Sequence, residues 1–232
     1  MTRTAPTSAL VVRRWAVISA AGLSGVLVMV SMFVDPAPSA DGRELIAAYA
    51  GDTFASGLHT NLIHYGFALI APLVYVMVGM VRGRGAWLAN VAALLAVIGL
   101  STLPGLVMLD LTSTAAAQVT DIDTAFAIDE QLGQSPAFVF LVIPAFLSAV
   151  LALPVAVVAM WRAGLFHGAV AAAAVVAALA PNFAPTWWLG FGINAVWMLG
   201  LGYVLWRLPM SAWSGEAETT GTVGHGERVA AH

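Results

Sequence analysis

The stretch His59-Thr60-Asn61-Leu62-Ile63-His64-Tyr65, with the apolar run behind it over residues 66–81 and the basic Arg82-Gly83-Arg84-Gly85 at its end, decides the fold. About 20 apolar residues at ~1.5 Å rise each make a helix long enough to cross a bilayer. The run begins with histidines beside other polar groups and ends in an arginine pair. It therefore has a polar entrance and a basic exit, which are the marks of an oriented membrane span.

The rest of the chain agrees with that reading. Of its 232 residues, 60% are hydrophobic and only 9% charged, against about 25% charged in soluble domains. Apolar runs recur at 15–34, 62–81, 86–109, 137–160, 165–179 and 187–205. The expected fold is all-α, a polytopic bundle of six transmembrane helices over residues 15–207. Residues 1–14 form a polar leader to it, and residues 208–232, rich in Gly, Ser, Thr and Glu, are expected as a disordered tail. The first run is too long for the h-region of a signal peptide, about 7–15 residues, and reads as an uncleaved span.

Two short surface helices are expected between spans. Asp41-Gly42-Arg43-Glu44 has the form of a capping box, Leu45 and Tyr49 share a face, and Gly57 is expected to end a helix over 41–55. In the polar loop 112–135, Ile122, Phe126 and Leu132 fall on one helical face. Pro72 is expected to kink the second span, and Asp110 to close the third.

Arginine placement sets orientation. With six spans, Arg3, Arg13, Arg14, Arg82, Arg84, Arg162, Arg207 and Arg228 share one side, and Arg43 alone lies opposite. Both termini are thus expected in the cytoplasm of a bacterial cell, with the protein in its inner membrane. Asp35, Asp41, Glu44, Asp52, Asp110, Asp121, Asp123, Asp129 and Glu130 fall on the outer side.

Several chemistries are excluded or left without support. There is no cysteine, and all nine basic residues are arginine, so thiolate sites and lysine Schiff bases are absent. His59 and His64 are five apart and diverge by about 140°, so they make no two-histidine metal face. No haem pairing, P-loop or dinucleotide fingerprint is present, no cofactor is implied, and nothing basic enough for nucleic acid is seen. Gly22-Leu23-Ser24-Gly25 spells the Gly-x-Ser-Gly box of rhomboid proteases, but it lies in the first span and the last span holds no histidine base. Ser24 reads as helix packing beside the small pair Ala21 and Gly25.

The candidate site is the corner where Asn61, His64 and Tyr65 open the second span, facing Asp110 at the same level of the third and Trp187 at the start of the sixth. A His64–Asp110 hydrogen bond would orient the imidazole and favour its charged form. In one reading the pair is an acid–base couple or a ligand anchor, and His64→Ala is expected to matter far more than His59→Ala in any activity or stability assay. In the other, His64 simply tethers two helices. Asn90 and Asn194, inside spans, either line a cavity or bond between helices.

The order of these features, with an arginine-tagged first span, the helix Glu44-Leu45-Ile46-Ala47-Ala48-Tyr49, the opening Leu58-His59-Thr60-Asn61-Leu62-Ile63-His64 and an acid after span three, resembles a broad group of uncharacterised bacterial six-helix membrane proteins. The group has no established activity, so the resemblance implies a fold and no reaction. Three function classes follow: a protein that binds a lipid, an apolar ligand or a membrane partner, including a second copy of itself; a small transporter or exporter subunit, suggested by Pro72, Pro104, Pro144 and Pro154; and a membrane enzyme using His64 and Asp110.

Overall fold

The computed structural model describes residues 8–214, and among them all regular structure is helical. The order is α1 Ser8–Val34, α2 Gly42–Gly51, α3 Thr53–Ala68, α4 Ile70–Met80, α5 Ala86–Leu95, a π-helical turn Ala96–Leu100, α6 Ser101–Val107, α7 Leu109–Val119, α8 Ile122–Gln134, α9 Pro136–Arg162, α10 Gly168–Phe183, α11 Trp187–Arg207 and α12 Met210–Ser214. Among the described residues, five helical stretches are long and apolar enough to cross a membrane: Ser8–Val34, Thr53–Met80, Ala86–Val119, Pro136–Arg162 and Trp187–Arg207. The expected fifth span is α10, apolar but only 16 residues long. At 1.5 Å per residue that is about 24 Å, short of a hydrocarbon core of ~30 Å.

Several boundaries differ from expectation for local reasons. Gly57 does not end a helix: the chain breaks at Asp52, whose carboxylate accepts the Ala55 N–H at 2.9 Å and starts α3. A side-chain cap with its own hydrogen bond outranks one helical glycine. Asp41 does stand at the N-cap of α2, but without a side-chain bond, so the capping box is not closed. Asp110 does not close its span either, because helix continues to Val119. The helix meets Pro104 through the wider π turn just before it, a deviation that accommodates a missing N–H without ending the rod. Pro72 behaves as expected. The break between α3 and α4 falls at Leu69, beside the carbonyl of Ala68 whose i+4 donor Pro72 cannot supply. The helix expected in the 112–135 loop is α8, with the Asp121 carboxylate accepting the Thr124 N–H at 2.8 Å. α1 starts at Ser8 and so takes in Arg13 and Arg14. The first part of the expected tail forms α12, with Trp213 1% exposed. The rest of that tail, 215–232, and residues 1–7 lie outside the described residues.

Small residues set the packing. In a bilayer, helices gain little from burying apolar surface, so close backbone approach carries the association. α1 lies against α11 through Ala21 and Gly25, where a Cβ on Gly25 would fall 2.8 Å from the Met198 Cβ. α9 meets α5 and the π turn through the fully buried Ala92, Ala96, Ala152, Ala156 and Ala159. The Ser24 hydroxyl donates to the Gly66 carbonyl at 2.7 Å, stitching α1 to α3 near the Leu69 break. Ser24 is thus the packing residue that the sequence suggests. Gly85 turns the chain into α5 with φ 95°, a left-handed conformation that an L side chain resists.

The bundle has two chemically distinct ends. At one end Arg13 donates to the Trp213 carbonyl at 3.1 Å. Arg14 donates to the Trp206 carbonyl and to Met210 Sδ, with its guanidinium 5.9 Å from the Trp213 ring. At the other end α2 packs on α7 and α8, and Arg43 pairs with Asp123.

Candidate functional site

The five residues expected to meet at one corner do not form one site. His64 Nδ1 lies 2.6 Å from the Pro104 carbonyl. That carbonyl is available because the chain tightens at Met108, whose N–H turns to Gly105 rather than reaching back four residues. His64 thus ties α3 to the broken part of the third span, and its edge faces Tyr65, ring centroids 5.1 Å apart. Tyr65 is 59% exposed. Asn61 is exposed and spends its amide on the Gly57 carbonyl of its own helix, at 2.8 Å. Trp187 stands edge-on to Phe33 of α1, 5.6 Å between centroids. Asp110 makes no bond to His64; it lies within electrostatic range of His59, Asp35 and Asp129. The expected His64–Asp110 pair is not formed. The side chains leave α3 and α7 toward different neighbours once the third span runs past Asp110 as helix.

The buried histidine is His59, at 5% exposure. Its Nδ1 lies 2.9 Å from the Ser31 carbonyl and 3.7 Å from Asp35 Oδ2. Both neighbours accept, which places the proton on Nδ1. Asp35 follows α1 directly, and its other oxygen accepts the Ala37 N–H at 2.9 Å, fixing the turn at Pro36. Tyr49 of α2 covers the imidazole at 6.0 Å between rings. Burial, then the charges of Asp35 and Asp110, push the Tyr49 phenol well above its ordinary value, so it stays protonated. Ser56 and Thr60 line the same buried face, each hydroxyl bonded to backbone carbonyls. The sequence holds a signal for this corner: Asp35 beside a proline and His59 about two turns after the Asp52 cap. The apolar run of the second span starts only at residue 62, so run length alone does not show His59 to be buried in helix.

A separate feature is a cleft of about 200 Å³ among α1, α3, α4, α6, α9, α10 and α11. Its walls are chiefly apolar, with Phe67, Phe146, Leu153, Phe191 and Trp197 prominent and Pro154 and Pro181 contributed from within α9 and α10. Its polar side chains are the amides of Asn182 and Asn194 and the hydroxyl of Ser24, which is already spent on the Gly66 carbonyl. Asn194 already donates to the Ala177 carbonyl at 3.3 Å, tying α11 to α10, so both uses expected of it are realised; Asn90 is exposed. None of Asn61, His64, Tyr65, Asp110 and Trp187 lines this cleft. Among the described residues no group of three or more His, Asp or Glu side chains is arranged to hold a metal ion.

No family model, curated protein or solved structure matches the chain.

Proposed function

We propose that this is a multi-pass membrane protein that binds a lipid chain or another apolar ligand in the cleft between α9, α10 and α11. The observation that carries the reading is the cleft itself. It is a chiefly apolar cleft of about 200 Å³ between the helices, with the Asn182 and Asn194 amides placed to meet a polar end. α10, short as it is, serves as the sixth crossing in this reading. α2 and α8 lie on the outer surface, and the arginine end faces the cytoplasm of a bacterial inner membrane, with both termini there.

Transport is the second reading, favoured by one observation. The Leu69 break in the second span and the π turn with Pro104 in the third lie on helices that pack together, and broken helices commonly border transported substrates. The acid–base reading loses its support with the separation of His64 from Asp110.

Fluorescence of cis-parinaric acid in detergent tests the proposal. The wild-type protein enhances the emission saturably, and Ala178→Trp, which fills the cleft wall, abolishes the enhancement while helical content is kept. Unchanged enhancement in Ala178→Trp refutes it.

A further inference from the structure

A further cavity, of about 250 Å³, opens at the arginine end, with Arg13 of α1, Tyr75 and Gly79 of α4, Arg82 and Trp213 in its wall. Arg13, Arg14, Arg82, Arg84, Arg162 and Arg207 all lie outside the ion pairs found among the described residues, which are Arg43 with Asp123 and His59 with Asp35. The nine acids among the described residues all fall between Asp35 and Glu130, and none faces this cavity. Arg82 spends one Nη on its neighbour, the Val81 carbonyl at 3.3 Å, and Arg13 spends one on the Trp213 carbonyl. Each guanidinium has five N–H donors, so most of the fork is left over. Trp213, on the same wall, is fully enclosed and anchors that side of the cavity by packing.

Two guanidinium forks with spare donors and no described carboxylate in the wall fit an anion with several acceptor oxygens. The phenol of Tyr75 and the nearby Trp206 are amphipathic groups that sit well at a headgroup level. We propose that this cavity binds the phosphodiester of an anionic phospholipid, its headgroup between Arg13 and Arg82 and its chains running along α4. The inference rests on the reading that a bilayer surrounds the bundle with the arginine end at its surface.

Native mass spectrometry of the full chain, released from detergent after addition of dioleoylphosphatidylglycerol or dioleoylphosphatidylcholine, tests it. One phosphatidylglycerol is expected to stay bound where phosphatidylcholine does not. Arg82→Gln, which removes only a bond to an adjacent carbonyl, is expected to weaken retention by about tenfold, the scale of one charge-assisted hydrogen bond. Arg207→Gln, outside the cavity wall, is expected to leave it unchanged. Arg13→Gln/Arg82→Gln is expected to remove retention entirely. Equal retention of the two lipids, equal retention in the Arg82→Gln variant, or displacement by millimolar inorganic phosphate overturns the proposal. So does phosphatidylglycerol binding that appears only in a Glu216→Gln/Glu218→Gln chain, since the tail would then be the occupant. Parinaric acid emission from the same Arg82→Gln sample reports the apolar cleft independently. A failed headgroup site leaves that signal, and a failed cleft leaves the lipid difference standing.

Discussion

His59 and His64 sit five residues apart on one helix, and the protein uses them in opposite ways. His59 is enclosed by α1, α2 and α3, its Nδ1 held between a carbonyl and a carboxylate and its face under Tyr49. His64 reaches one carbonyl freed by a distorted turn and leaves a flank beside the exposed Tyr65. The first is a junction that orders three elements at once, and the second is a single tether. A polar group in a helical membrane protein matters through the number of elements it joins, not through its depth along the span.

This contrast can be broken by substitution, with unfolding followed by tryptophan fluorescence in detergent. His59→Ala is expected to cost the most, about 2–3 kcal/mol, since it strips the donor from a buried acceptor pair and leaves the Asp35 carboxylate under Tyr49. An effect below that of His64→Ala would reverse the comparison. Alkaline pH acts on the same junction. The folded protein holds the Tyr49 proton above the pKa of the unfolded chain, so its stabilising effect is complete below about pH 10 and is lost as pH rises beyond it, by up to about 1.4 kcal/mol per unit. Tyr49→Phe is expected to flatten that slope; an unchanged slope would remove Tyr49 from the junction. His64→Ala is expected to cost about 0.6–1.5 kcal/mol, the range of one interhelical polar bond in a membrane. Asn61→Ala, which loses a bond within its own helix on an exposed face, should stay within about 0.5 kcal/mol of wild type.

Much of the fold was legible from apolar run length, because a bilayer leaves the backbone few choices besides helix. The ends of the runs were less legible. Membrane helices here extend past their apolar stretch wherever a cap or an irregular turn allows it, as Asp52 does for α3 and the π turn before Pro104 does for the third span. Those two extensions also explain the misplaced site. They lengthen α3 backward to bury His59, and they carry Asp110 on into a helix that keeps it from His64. The small-residue face of Ala21 and Gly25 was readable because close packing needs particular residues at a particular spacing. The apolar cleft was not readable, since its walls come from seven helices and no local pattern records where they fail to meet.

The central claim is that the cleft between α9, α10 and α11 takes a hydrocarbon chain. A photoactivatable diazirine fatty acid, cross-linked to the protein in nanodiscs and mapped by peptide mass spectrometry, tests it most directly. The account predicts adducts concentrated at Leu153, Phe191 and Trp197. Labelling spread instead over outward-facing residues such as Trp87, Phe140 and Val196, with none in the cleft, would contradict it.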